Sequence, residues 1–171
     1  KIEMRKALTA AGIPCPKWKE IISESDLSEF GDLAGWPLIL KTARGGYDGK
    51  GVWVVKSVAE ATDVVKEIQV AGNRVLAEEL VPFTRELAAQ VARSPHGQCV
   101  AYPVVKSTQT DGICNEVIAP CPDLDPERAA NAQAMAITIA NLLDVHGMLA
   151  VELFDTHRKF QIGCTLGSRS H

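Results

Sequence analysis

The sequence predicts an α+β fold in two parts, a helix-rich first lobe followed by a lobe built on antiparallel strands. Three observations carry that prediction. Helical periodicity recurs up to about residue 73, short strand patterns separated by turn signals follow from residue 74, and nothing alternates parallel strands with helices. The expected lobes are residues 1–73 and 74–171, with no internal repeat and no low-complexity segment.

The elements read in order. Residues 2–11 place Met4, Ala7, Leu8 and Ala11 on one helical face, and Gly12 ends the run. Pro14 and Pro16 enforce an extended connector. A short polar helix is expected over Ser25–Leu33, with Ser25 as its N-cap. Residues 37–41 (PLILK) form a short apolar strand ending in a lysine, the glycine-rich run 45–51 (GGYDGKG) follows, and 52–55 (VWVV) is the returning strand. Ser57 caps a helix running to Val70, whose apolar face is Val58, Ala61, Val64, Val65 and Ile68.

Strands are then expected over 75–79, 86–93, 98–105 and 113–118, with a tight turn at Ser94-Pro95-His96-Gly97. Asp125 caps a helix over 126–143. Residues 148–154 (MLAVELF) read as a buried strand interrupted by Glu152, and Phe160 and Ile162 mark a last strand.

Composition narrows the function classes. The 171 residues are 46% apolar and 23% charged, ordinary for a globular chain that holds a core without staples. A formal charge of -3 gives no electrostatic reason to expect nucleic acid or an anionic membrane as a partner. No apolar run reaches the ~20 residues that span a bilayer, and no signal peptide opens the chain, so a cytoplasmic location is expected. The five cysteines form no CxxC pair and read as reduced thiols, mostly core filler. The four histidines show no metal spacing, and there is no GxSxG elbow, which disfavours catalytic zinc and hydrolase triads.

Three features carry chemistry. Four glycines within residues 45–51 cost backbone entropy, which makes sense where the main chain bends sharply or approaches a ligand closely. Such a loop offers N–H groups to phosphate oxygens, although a floppy hairpin tip has the same composition. It lacks the GxxxxGK[ST] pattern, and a strand rather than a helix follows it, so it is neither a Walker A loop nor a dinucleotide fingerprint. Lys41 closes the preceding strand and favours the phosphate reading, since its ammonium can lie over phosphates. Glu78, Glu79, Leu80 and Val81 leave a strand ahead of Glu86, where exposed backbone groups match an adenine edge and a carboxylate can accept ribose hydroxyls. Taken alone, that acidic cluster is also what a solvated turn looks like. Glu152 needs a partner if its strand is buried, and hard oxygens suit Mg²⁺; the alternative is an edge-strand glutamate facing water.

The segments PLILKTARGGYDGKGVWVV, VARSPHGQCVAYPVVKSTQTDGICNEVIAPCP and GMLAVELF resemble the N5-carboxyaminoimidazole ribonucleotide synthetases, ATP-grasp ligases of purine biosynthesis, from Lys1 to about Ile162. The resemblance implies two α+β lobes with an ATP cleft between them. By position it assigns Lys1 and Lys41 to phosphates and Gly45, Gly46, Tyr47, Asp48, Gly49, Lys50 and Gly51 to the covering loop, with Lys41, Tyr47 and Asp48 serving the chemical step. It makes Glu78, Glu79, Leu80 and Val81 the adenine hinge, Glu86 the ribose ligand, Gln109 a further nucleotide contact and Glu152 a ligand of Mg²⁺, with Mn²⁺ as the alternative ion. The implied reaction carboxylates 5-aminoimidazole ribonucleotide with bicarbonate and ATP through carboxyphosphate, in a homodimeric parent protein.

Two departures qualify it. The family carries domains on both sides of this region, so the chain reads as a fragment. Where the family has a second metal-binding glutamate, this chain has Cys164, within the divergent run 163–171; a thiol is a poor ligand for Mg²⁺. The chain alone is therefore expected to bind nucleotide weakly and not to turn over. Another ATP-grasp ligase, or a non-catalytic nucleotide-binding domain, is the competing reading.

Overall fold

The computed structural model describes residues 1–45, 50–110, 112–156 and 159–169, with side chains described through residue 163 of the last stretch. Two units divide the chain, Lys1–Val81 with Asp111–Ile113 and Pro82–Thr110 with Cys114–His171, so the main division falls between Val81 and Pro82. That division falls later than the expected lobe boundary after residue 73, because the strand over 75–79 is hydrogen-bonded inside the first sheet.

The first unit opens with α1 (Ile2–Ala10), β1 (Trp18–Ile21), α2 (Glu24–Ala34), β2 (Leu38–Thr42), β3 (Val52–Val55), α3 (Val58–Val70) and β4 (Val75–Glu79). Its sheet runs β1-β4-β2-β3, with every pairing antiparallel. Leu38, Leu40, Val75 and Ala77 pack with Leu27 and Phe30 of α2 and with Ala61, Val65 and Ile68 of α3 in one apolar cluster. Strand alternation sends Ile39, Lys41, Leu76 and Glu78 to the opposite face.

Three local expectations change. Ser23, not Ser25, caps α2: its hydroxyl accepts the Asp26 N–H while the Asp26 carboxylate accepts the Ser23 N–H. The segment after Pro16 forms β1, which the proline-rich approach concealed. The buried face of α1 is Ile2, Arg5 and Leu8 rather than Met4, Ala7, Leu8 and Ala11.

The second unit contains β5 (Arg85–Arg93), β6 (Cys99–Ala101), β7 (Val105–Thr110), β8 (Ile113–Ile118), α4 (Pro126–Leu142), β9 (Gly147–Asp155) and β10 (Phe160–Arg169). Its sheet runs β10-β9-β5-β7-β8, and β6 also pairs with β5. The single strand expected over 98–105 is two, interrupted around Tyr102-Pro103, where proline removes a ladder donor. Leu87, Ala89 and Val91 stand opposite Leu153, Val151 and Leu149, all buried. Ala132, Ala136, Ile139 and Ala140 are the buried residues of α4, which packs on β5 and β9.

At one end of this sheet Asp155 is buried between two arginines. Arg85 Nε donates to it at 2.8 Å, Arg128 also donates to it, and the Arg128 guanidinium lies 4.6 Å from the centre of the Phe160 ring. The network ties β5, α4, β9 and β10 together. Among the described cysteines only Cys121 is buried; Cys15 and Cys99 are half-buried and Cys114 is exposed, which corrects the expectation of core filler. No helix among the described residues is long and apolar enough to cross a membrane.

Gly31 in the middle of α2 makes a prediction whose sign is decided by packing. Alanine there gains about 1 kcal/mol of helix propensity, but its Cβ would sit 2.5 Å from Cζ2 and 2.6 Å from Cε2 of the Trp36 indole. Overpacking of this kind costs about 1–3 kcal/mol. Gly31→Ala is expected to destabilise by about 1 kcal/mol or more in urea denaturation; a stabilised variant would show that the indole moves freely.

Candidate functional site

Lys41 is the penultimate residue of β2, and the glycine-rich run begins at Gly45. The strand is short because Thr42 N–H reaches the Gly51 carbonyl at 3.1 Å, closing the β2–β3 hairpin just before the loop. Gly45 and Gly51 have φ of 67° and 75°, conformations that L side chains adopt only with strain. Gly46, Tyr47, Asp48 and Gly49 lie outside the described residues. Lys50 is exposed in the turn.

Register explains how Lys41 meets its partner. Ile39 stands opposite Glu78 and Lys41 opposite Leu76, so Lys41 and Glu78 are diagonal neighbours on one face of the sheet. Lys41 Nζ donates to Glu78 Oε2 at 2.7 Å, and Arg5 Nε from α1 donates to Oε1 at 2.6 Å. Arg5, Glu78 and Lys41 are 0%, 2% and 8% exposed. Neither the strand-end lysine nor the first member of the acidic cluster is a solvated surface group. Burial pushes the Glu78 carboxyl up, but the charges and hydrogen bonds of Lys41 and Arg5 outweigh it and hold the group below its ordinary value of 4.5.

Lys1 joins the same region. Its Nζ donates to the carbonyls of Thr42 at 2.9 Å and Gly45 at 2.7 Å, fastening the start of the loop. Glu79 turns elsewhere: its Oε1 accepts the Lys17 N–H at 2.9 Å, and its own N–H donates to the Lys17 carbonyl. Leu80 is exposed and Val81 buried, ending the first unit.

The second unit gathers the remaining assigned residues by register. Glu86 stands opposite Phe154 on β9 and Ser107 on β7, while Ala88 stands opposite Glu152. Glu86 and Glu152 are therefore diagonal neighbours, and Gln109, two residues beyond Ser107, lies on the same face. This is the face opposite Leu87, Val151 and Leu153. The strand carrying Glu152 is thus buried on one side only, contrary to the fully buried strand that its apolar run implied. All three polar side chains are half-buried. Burial, and then the neighbouring charge of Glu152, raise the Glu86 carboxyl above its ordinary value. Phe83 stacks on Phe154 beside this group, centroids 4.8 Å apart.

Sequence reasoning missed Arg5. Its only signal was an arginine three residues from both Ile2 and Leu8, at helical spacing on what proves to be the buried face.

An antiparallel first sheet with a glycine loop after a lysine-ended strand, together with a second antiparallel sheet bearing two carboxylates on one face, defines a nucleotide-binding α+β class. The chain belongs to the ATP-grasp domain family, which it matches over residues 6–171. It is 46% identical over 156 residues to N5-carboxyaminoimidazole ribonucleotide synthase of Mycobacterium bovis, covering 91% of this chain and 36% of that protein. The corresponding synthase of Corynebacterium ammoniagenes is 41% identical over 154 residues, covering 90% and 37%. Among solved structures, an ADP complex of N5-carboxyaminoimidazole ribonucleotide synthetase superposes with a TM-score of 0.86 at 30% identity, over 99% of this chain and 44% of that one. An ATP complex of the Aspergillus clavatus enzyme superposes at 0.89 with 28% identity, over the whole of this chain and 44% of that one. The chain spans little more than a third of the length of these curated relatives.

The triad sets a pH dependence. A carboxylate depressed on folding contributes stability above its ordinary value, and loses it as pH falls through the depressed value. Removing one partner of a buried ion pair costs about 3–5 kcal/mol. Glu78→Gln is expected to destabilise by that amount near pH 7 in urea denaturation, with the gap narrowing as pH falls below 4.5 and through the depressed value of the wild-type carboxyl. A gap unchanged with pH would mean that the substitution acts through packing.

Proposed function

We propose that this chain binds ATP and that the intact protein carrying it joins bicarbonate to 5-aminoimidazole ribonucleotide. The observation that carries the reading is the buried Lys41 ammonium at the root of the glycine loop, in a chain 46% identical to a synthase of that name. A lysine there neutralises phosphate charge, and loop amides add donors to the same oxygens.

The chemistry is a phosphoryl transfer followed by a carboxyl transfer. A bicarbonate oxygen bonds to the γ-phosphorus of ATP while the bond to the ADP oxygen breaks, giving carboxyphosphate. The exocyclic amine of 5-aminoimidazole ribonucleotide then bonds to the carboxyl carbon, inorganic phosphate leaves, and the amine gives up one proton. Little of this needs a covalent role for the protein; Lys1, Lys41 and the loop position and neutralise the phosphates.

Glu86, Glu152 and Gln109 present oxygens on one face, and the Glu152 carboxylate is the hard donor that would suit a divalent cation such as Mg²⁺ or Mn²⁺. When bound, that ion supplies charge neutralisation to the phosphates. Under this reading Glu152 is its ligand, while Glu86 holds the ribose and Gln109 a further part of the nucleotide. Gly46, Tyr47, Asp48 and Gly49 complete the covering loop, and Glu78, Glu79, Leu80 and Val81 form the adenine edge. The same reading includes a cytoplasmic, homodimeric intact protein. A non-catalytic nucleotide-binding domain is the second reading, favoured by Cys164 at the position where the family carries a second metal-binding glutamate.

The test is ADP release by the intact protein. Release should require bicarbonate, 5-aminoimidazole ribonucleotide and a divalent cation, stop on chelation, and fall about a hundredfold or more in Lys41→Ala. ATP binding without turnover would favour the non-catalytic reading. Turnover indifferent to 5-aminoimidazole ribonucleotide would point to a different ATP-grasp ligase.

A further inference from the structure

The arginine pair around Asp155 borders an open pocket that the nucleotide reading does not use. Thr84, Arg85, Arg128, Asp155 and Thr156 line it, and its volume is about 430 Å³. Register sets which side of the sheet these groups lie on. Arg85 stands opposite Asp155, and strand alternation puts both on the face of Leu87 and Leu153, away from Glu86, Glu152 and Gln109. Arg128 reaches the same carboxylate from the first turn of α4.

Hydrogen bonding shows what the two guanidiniums have left. Arg85 uses Nε on Asp155 and Nη1 on the Pro122 carbonyl at 3.1 Å. Arg128 uses only Nη2, on Asp155 and on the Thr156 carbonyl at 3.0 Å. Among the described residues, Arg85 Nη2 and Arg128 Nε and Nη1 donate to nothing. Asp155 already gives one oxygen to each arginine, and the Phe160 ring lies against the Arg128 guanidinium.

Two planar forks from different elements, each with donors to spare, suit an acceptor with more oxygens than a carboxylate offers. A phosphoryl group is such an acceptor, and arginine binds it through parallel N–H donors. The Asp155 hydrogen bond raises Arg85 above its ordinary value, and Asp123 contributes to the same shift. The Asp123 charge also opposes an anion, which keeps the affinity modest.

We propose that this pocket is a phosphoryl-binding site, taking inorganic phosphate or a small phosphate ester against Arg85 and Arg128. The volume leaves room for an organic body beside the phosphoryl group. None of its residues belongs to the candidate nucleotide site, so it does not rest on the nucleotide reading.

The test is calorimetric titration of the intact protein with sodium phosphate, under saturating ADP and at an ionic strength matched with sodium chloride. Binding should saturate with a dissociation constant of about 1 mM. It should persist in Lys41→Ala and weaken about tenfold in Arg128→Met, the equivalent of one charge-assisted hydrogen bond. Glycerol 3-phosphate separates the two sources. Binding tighter than that of phosphate identifies an ester, equal or weaker binding identifies the free ion, and each supports the site.

Circular dichroism checks that Arg128→Met folds. If it does not, Arg128→Lys decides, because lysine keeps a cation beside Asp155 but has no fork, and affinity should still fall about threefold or more. An unchanged affinity in the folded arginine variant overturns the proposal. So does the absence of saturation by about 20 mM phosphate, or binding that Lys41→Ala abolishes, which would belong to the nucleotide site. A protein that binds phosphate in this way but not ADP keeps the pocket's assignment while the nucleotide reading falls.

Discussion

A single carboxylate organises the first unit. Glu78 sits on the central strand β4, between β1 and β2, where the sheet leaves it no access to water. A buried charge of that kind must be matched, and two cations match it from different elements, one at the end of β2 and one from α1. The consequence is positional as much as energetic. Once Glu78 is fixed by the β-ladder, the Nζ of Lys41 has one place to be, and so does the helix that brings Arg5.

The second unit uses register to a different end. Antiparallel pairing of β5 with β9 and β7 sends Leu87, Leu153 and Val151 inward and leaves Glu86, Glu152 and Gln109 together on the other face. Burial and then the charge of Glu152 both disfavour ionisation of Glu86 and raise its carboxyl above the ordinary value. One unit therefore buries a carboxylate shared by two cations, and the other sets two carboxylates on one sheet face. Under the proposed function, cations suit a polyphosphate and carboxylates suit a divalent ion.

Much of this was legible in the residues, and the exceptions have physical causes. Helices with a side-chain cap and an apolar stripe, α3 and α4, could be read because both signals are local. β4 and β8 could be read because turn residues bound them. β1 was hidden behind Pro14 and Pro16, and its only evidence is its pairing with β4, sixty residues away in sequence at Trp18 and Glu78. The division of the units was misplaced for a related reason: Gly72 and Asn73 end a helix convincingly, but membership of a sheet is decided by partners that no local window contains.

The candidate site divides along the same line. Lys41 and Glu152 stood out because a charge at the end of, or inside, an apolar strand violates the local pattern, and such violations point to a partner. Arg5 gave no such signal, since arginine is a good helix former and an exposed position for it is the ordinary case. Only the structure shows that the helix turns it inward. Its burial shows that Glu78 is shared between two cations and not held by Lys41 alone. The residue least conspicuous in the sequence is therefore the one that holds the other oxygen of the conspicuous lysine's partner.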